Sequence, residues 1–278
     1  MSQRQRGKMT TMKDEKKEVS RREVLIGAGT IAAGAAVLST GVASFVSNAK
    51  ASGMTAYPYK KLDVAEVKRI AHETYFTKFC AETVLTGLFK PLAKSVGAPY
   101  DSYPLGSVFW AHGGMMGWGT ACGTMIAAGT AIGLITAGDK TKVTTPGGRK
   151  AVPVGEAIIN DVIAFYANES LPQYKPAKGQ AKAQIKNQSV SDTPICHISV
   201  GKWMAKEDVK FFGIERKERC ARLSADIAGY TAQLLNEWAD GTYKPRNEPL
   251  ANAIDNQITS QGNCNDCHGD DVPTAKGA

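Results

Sequence analysis

The sequence predicts an all-α protein: a helical bundle followed by a loop-rich C-terminal tail. Three observations carry that prediction. Apolar residues recur at helical spacing through 64–94, 118–136, 154–167 and 214–239. Glycine and proline punctuate the ends of these stretches. Beyond Gly241 the chain is short of apolar residues and shows no period.

The first helix is predicted from Val64 to about Lys94. Val67, Ile70, Ala71, Phe76, Phe79, Cys80, Val84 and Leu88 fall at helical spacing, Asp63 offers an N-cap carboxylate, and Gly97 with Pro99 ends the pattern. On one straight helix His72, Phe76, Phe79 and Cys80 share a face, with His72 and Cys80 about 12 Å apart at two turns' separation. Residues 98–117 read as a loop rich in Gly, Pro and aromatic residues, holding Trp110, His112, Met115 and Met116. A second apolar helix is predicted from about Trp118 to Thr136. Its Gly119, Gly123, Gly129 and Gly133 are spaced to let another backbone approach, and Cys122 lies on a Trp118, Met125, Ile126, Gly129 stripe. Lys140–Lys150 reads as a polar turn or short hairpin, and Val154–Ala167 as a third amphipathic helix. Residues 171–193, rich in Lys, Gln and Pro, read as a surface connection of low order. Cys196 and His197 then enter a helix running to Lys206. Ile214–Ala239 is the last strong helix, with Cys220, Leu223, Ile227 and Leu234 on one stripe.

The tail carries the most specific motif, Cys264-Asn265-Asp266-Cys267-His268. C-x-x-C-H is the attachment signature of a c-type haem: two thiols one turn apart form thioethers with the vinyl groups, and the adjacent histidine lies under the iron. A zinc knuckle also uses C-x-x-C but needs two more ligands, and residues 240–278 hold no other Cys or His. Cys264, Cys267 and His268 are therefore the candidate haem site. The tail is expected to have little fold of its own without the porphyrin.

The N-terminus reads as an export signal of the twin-arginine type. A polar, basic stretch ends in Ser20-Arg21-Arg22-Glu23-Val24-Leu25. The moderately apolar, uncharged run Val24–Val46 follows, and Ala49-Lys50-Ala51 offers a cleavage site. The alternative is a retained membrane anchor, since the run approaches the ~20 residues of a span. Membrane contact is otherwise confined to export. The domain reading is a signal peptide at 1–51, a helical domain at 52–240 and the haem-binding tail at 241–278, in a periplasmic protein. The twin-arginine route moves folded chains, which suits a metal centre inserted in the cytoplasm. The formal charge of +8 belongs mostly to the leader, which holds nine Lys or Arg against four Asp or Glu; the remainder has 25 against 22. No nucleic-acid partner is implied.

Four further cysteines, Cys80, Cys122, Cys196 and Cys220, each fall on or at the start of a different predicted helix. An exported protein with an even number of cysteines admits disulfides, in any of three pairings. Four thiolates meeting at one buried iron–sulfur cluster is the other reading. No cluster spacing decides between them.

The order of a lone cysteine in the first helix, then Trp118-Gly119-Thr120-Ala121-Cys122-Gly123, then Ile195-Cys196-His197-Ile198-Ser199-Val200, then Glu218-Arg219-Cys220-Ala221-Arg222-Leu223, resembles the split-Soret group of the C_GCAxxG_C_C family. The resemblance covers roughly residues 60–275. It implies an all-helical homodimer with bis-histidine haems at one end and an iron–sulfur cluster, [2Fe-2S], in the core. Carried over, it makes Cys80, Cys122, Cys196 and Cys220 the cluster ligands and Cys264, Cys267 and His268 the haem site. Two departures stand out. The family's Gly-Cys-Ala-x-x-Gly reads here as Ala121-Cys122-Gly123-Thr124-Met125-Ile126, and there is one C-x-x-C-H where the split-Soret pattern has two. A haem pair then requires a dimer interface.

Only four histidines are available. After His268, His112 in the aromatic loop is the candidate distal haem ligand, with Met115 and Met116 as alternatives. His72 reads as a core residue and His197 as a neighbour of the cluster that tunes its potential. Arg216, Lys217, Arg219 and Arg222 surround Cys220, where cations raise a cluster's potential, and the lysines of the 171–193 connection suit an acidic redox partner. The functional expectation is an exported electron carrier with haem c and a cluster, working with redox partner proteins. The rivals are a small-molecule redox enzyme with an open haem position and a disulfide-bonded cytochrome without a cluster.

Overall fold

The computed structural model describes residues 56–146 and 151–248. The segment read as an export signal, 1–51, and the Cys264–His268 motif lie outside the described residues. In chain order the elements are α1 (Val64–Ser95), a 3-10 turn (Leu105–Val108), α2 (Gly123–Ile135), β1 (Lys142–Thr144), β2 (Ala151–Pro153), α3 (Val154–Asn168), α4 (Cys196–Glu207) and α5 (Ile214–Ala239). The described residues are mostly helical and include one two-stranded sheet. In it β1 and β2 pair antiparallel, Val143 opposite Val152.

The N-terminus of α1 forms as its sequence dictates. Asp63 adopts extended φ/ψ and its carboxylate accepts from the amides of Ala65 at 2.8 Å and Glu66 at 3.3 Å. The continuation differs from the prediction. Phe79 takes φ 56°, ψ −165° and the chain reverses there. Thr83 Oγ1 donates to the Ala71 carbonyl at 2.7 Å, although twelve residues of straight helix would separate the two by about 18 Å. Thr74 and Thr83 hydroxyls also meet at 2.5 Å. A Cβ on Gly87 would stand 3.1 Å from that of Ala71. Residues 64–78 and 80–95 are thus two antiparallel arms of a helical hairpin. His72 and Cys80 sit on different arms instead of one face, and Phe79 is 41 % exposed at the apex instead of facing inward.

α5 fills the space along this hairpin. Leu223, Ile227, Leu234 and Leu235 are buried against Val67, Val84, Leu88 and Leu92, each such side chain contributing ~1.5–3 kcal/mol. Asn236 clasps the segment before α1 to this helix. Its Oδ1 accepts from the Tyr59 hydroxyl at 2.7 Å and the Leu62 amide at 2.9 Å, while its Nδ2 donates to the Leu62 carbonyl at 2.8 Å. α2 and α3 close the remaining side of the core.

Polar groups hold the irregular segments. The 171–193 connection has neither helix nor strand but is pinned along its length. Gln173's amide donates to Asp226 at 2.7 Å, Lys182's to Glu218 at 3.0 Å, and those of Lys186 and Asn187 to Glu207 at 2.8 Å each. After α5, the buried Asp161 accepts from the Tyr243 hydroxyl at 2.7 Å and from the amides of Arg246 and Asn247. The stretch 241–247 is therefore fastened to α3. No helix among the described residues is long and apolar enough to cross a membrane.

Candidate functional site

Helix 2 begins later than predicted, and the reason shapes the site. The segment 113–117 winds left-handed, with φ of 56°, 63°, 62°, 54° and 86°, and Gly119 follows at 77°. Gly114 is required here, because a Cβ would lie 2.5 Å from the Thr120 amide nitrogen. The chain leaves this coil extended, Ala121 bridges Ile195, and the helix starts only at Gly123. Trp118, expected on the inner stripe of a helix, is in the loop and 83 % exposed.

This arrangement delivers cysteines in pairs. Cys122 is the N-cap of α2 and its amide donates to the Pro194 carbonyl at 3.0 Å. Cys196 is the first residue of α4 and its amide donates to the Thr120 carbonyl at 2.7 Å. The two cysteines are thus locked side by side by a two-stranded contact. Cys80 follows the reversal at Phe79, which turns it toward the same place, and the Gly113 amide reaches its sulfur. Cys220 comes from within α5. All four are buried and free of disulfides.

Three of the four therefore stand at the starts of helical segments, where backbone amides and helix dipoles favour negative charge. The fourth has Arg219 Nη1 at 3.8 Å from its sulfur. Cys80, Cys196 and Cys220 line a cavity of about 460 Å³ together with Tyr75, Phe79, His112, His197 and Arg216. Cys122 lies behind it, accepting hydrogen bonds from the Cys196 and Cys80 thiols. Those bonds, with help from Thr124 at 3.2 Å, outweigh burial and hold Cys122 well below the ordinary thiol range. Its donors move the opposite way. The bond to Cys122, then burial, pushes both Cys80 and Cys196 well up.

Two buried polar atoms beside the cysteines lack a partner among the described residues: the Tyr166 hydroxyl and Arg219 Nε. Burial first, then the charges of Cys122 and Cys196, pushes the Tyr166 hydroxyl well up, so it stays a donor. Unpaired buried donors next to sulfur fit a centre that brings acceptors and negative charge, as an iron–sulfur cluster does. Among the described residues no three His, Cys, Asp or Glu groups are arranged about a single ion. A two-iron cluster asks for two thiolates on each iron instead.

The histidines separate by role. His72 is buried and bonds Glu218 at 3.0 Å, away from the cavity. Partly buried His112 lies at the cavity mouth, its ring 5.6 Å from that of Phe79. His197 also lines the cavity and is exposed, with Gly119 so close that a Cβ would stand 3.0 Å from its own. Met115 and Met116 are exposed on the coil. Tyr75, Tyr166 and Ser199 were not singled out by sequence; no spacing marked them, because they reach the site from three different elements.

Comparison with known proteins places the chain in a family and beside a cytochrome. Residues 78–234 match the family described as "Putative redox-active protein (C_GCAxxG_C_C)". The chain is 29 % identical to the split-Soret cytochrome c of Desulfovibrio desulfuricans over 281 aligned positions, covering 93 % of this chain and 91 % of that one. A solved structure of the split-Soret cytochrome c from that organism, described as having a novel iron centre, superposes with a TM-score of 0.61 and 26 % identity, covering 80 % of this chain and 86 % of that one.

Proposed function

The chain belongs to the C_GCAxxG_C_C family, and we propose that it is an exported electron carrier holding a [2Fe-2S] cluster and one c-type haem. Similarity to a cytochrome supports electron transfer as the coarse function. Cys80, Cys122, Cys196 and Cys220 are the cluster ligands in this reading. Cys264 and Cys267 attach the haem, His268 is its proximal ligand and His112 its distal one. The two centres supply one-electron chemistry.

The observation that carries the proposal is the meeting of four thiols from four chain segments at one buried place, three of them at helix starts and the fourth beside a buried arginine. The protein's own contribution is to keep these sulfurs buried and fixed. The Ala121–Ile195 bridge fixes two of them, the Phe79 reversal a third and α5 the fourth. Folding and cluster insertion come first, twin-arginine export to the periplasm next and haem attachment last, in a homodimer that serves redox partner proteins.

Anaerobically purified protein is expected to contain about two acid-labile sulfides and about three irons per chain. Replacing any one of the four cysteines by serine removes the sulfide and leaves the haem spectrum. One iron and no sulfide in the wild type would overturn the cluster.

A further inference from the structure

Four basic residues flank Cys220 in the sequence, and three of them are only partly buried. Arg222 Nε bonds Glu218 at 2.7 Å. Arg216 donates to the Phe211 carbonyl at 2.8 Å and lies over that ring at the cavity mouth. Lys217 is only partly buried. Arg219 differs: it is 1 % exposed and, among the described residues, makes no ion pair with a carboxylate.

Its donors are disposed asymmetrically. Nη2 is held by Ser199, at 2.7 Å to Oγ and 3.3 Å to the carbonyl. Nη1 points to the Cys220 sulfur at 3.8 Å, and Nε has no partner. A buried guanidinium with no carboxylate in hydrogen-bond reach is costly unless negative charge stands beside it, and the nearest such groups are the cysteine sulfurs. The Tyr166 hydroxyl, buried and also unpartnered, faces the cysteines from α3.

We propose that Arg219, aimed by Ser199, is the fixed countercharge of the cysteine-held centre and sets its reduction potential. The inference rests on the cluster reading above and goes beyond it by naming the residue that tunes the potential. A cluster held by Cys80, Cys122, Cys196 and Cys220 would be anionic, and one-electron reduction by a protein donor or an electrode would add one negative charge. A permanent cation at its edge stabilises the reduced state more than the oxidised one. Because guanidinium does not deprotonate in the working range, the stabilisation is independent of pH. Ser199 is a positioning residue: it spends one arm of the fork so that the other faces sulfur.

The test is a redox titration of the full-length holoprotein, following the EPR signal of the reduced cluster and the visible absorption of the haem together. Arg219→Gln is expected to retain sulfide and lower the reduced-to-oxidised ratio at a fixed poise by about tenfold, equivalent to about 59 mV for one electron. Arg219→Lys, which keeps the charge, restores most of the shift. Ser199→Ala moves the cluster potential in the same direction by a smaller amount, and the haem potential stays put in every variant. Retained sulfide with an unmoved potential in Arg219→Gln overturns the inference. If that variant loses its sulfide, Ser199→Ala decides, and an unmoved potential there overturns it equally. Wild-type protein lacking sulfide would defeat the cluster reading itself, a separate result.

Discussion

Gly123 and Ala111 are in backbone contact: a Cβ at Gly123 would stand 1.7 Å from the Ala111 carbonyl oxygen and 3.1 Å from the Cys80 Cβ. The start of α2, the aromatic loop and the second arm of the hairpin converge on this one missing methyl group. Gly123→Ala is expected to cost about 3 kcal/mol in urea unfolding and to abolish acid-labile sulfide. Gly129→Ala, in the same helix with nothing within 4 Å, is expected to add ~0.5–1 kcal/mol and leave sulfide unchanged. Equal behaviour of the two would remove the role assigned to the contact.

Asp226 gives a pH signature. Burial pushes its carboxyl up to about 6, against the amides of Gln173 and Tyr174 and the charges of Lys68 and Arg219. An acid whose folded pKa lies above its unfolded value near ~3.9 binds protons more tightly when folded. Its contribution is therefore complete below about pH 4 and is lost as pH rises through about 6. Asp226→Asn keeps an acceptor for the Gln173 amide and is expected to flatten the stability profile in that window by about 2 kcal/mol. Unfolding curves at pH 4.5 and 7, as about the two ends of the window, measure it.

Glu218 behaves oppositely. Burial works to raise its pKa, but bonds from His72, Arg222 and the Lys182 amide win and hold it below the ordinary range. Its stabilisation is present above the unfolded carboxylate range and is lost as pH falls through the lowered folded value. Glu218→Ala would strand the buried His72 and Arg222 and release the connection at Lys182. A loss of about 3–5 kcal/mol is expected in urea unfolding, with Glu218→Gln much milder.

Asp161 fastens the chain after α5 through the Tyr243 hydroxyl and the Arg246 and Asn247 amides. Asp161→Ala is expected to open residues 241–248 to limited proteolysis while leaving the sulfide content of the core intact. Cleavage patterns identical to the wild type would show that other contacts suffice.

Much of the helix inventory was legible because amphipathic period and capping are local. Asp63 caps α1 as its sequence position implies, and α5 runs from Ile214 to Ala239 as its stripe predicts. The errors came where the backbone departs from convention without a breaker. Phe79 is an aromatic residue in a left-handed turn, with no glycine or proline to announce the reversal. Trp118 sat within an apolar run that continued smoothly into α2, and only the left-handed coil at 113–117 shows why the helix waits until Gly123.

For the site, the sequence by itself determined which residues are candidates for the chemistry: six cysteines, four histidines and their order along the chain. It also marked Cys196 as lying at a helix start, since capping and period are set by neighbours a few residues away, whereas it put Cys122 inside a helix that in fact begins just after it. Only the tertiary structure decided that the four core cysteines meet, that His72 belongs to Glu218, and that Arg219 alone of its basic neighbours is buried against sulfur. Those outcomes depend on contacts between segments tens to more than a hundred residues apart. No local period encodes them; they follow from the hairpin at Phe79 and the bridge at Ala121–Ile195, which bring helix ends together before any metal is considered.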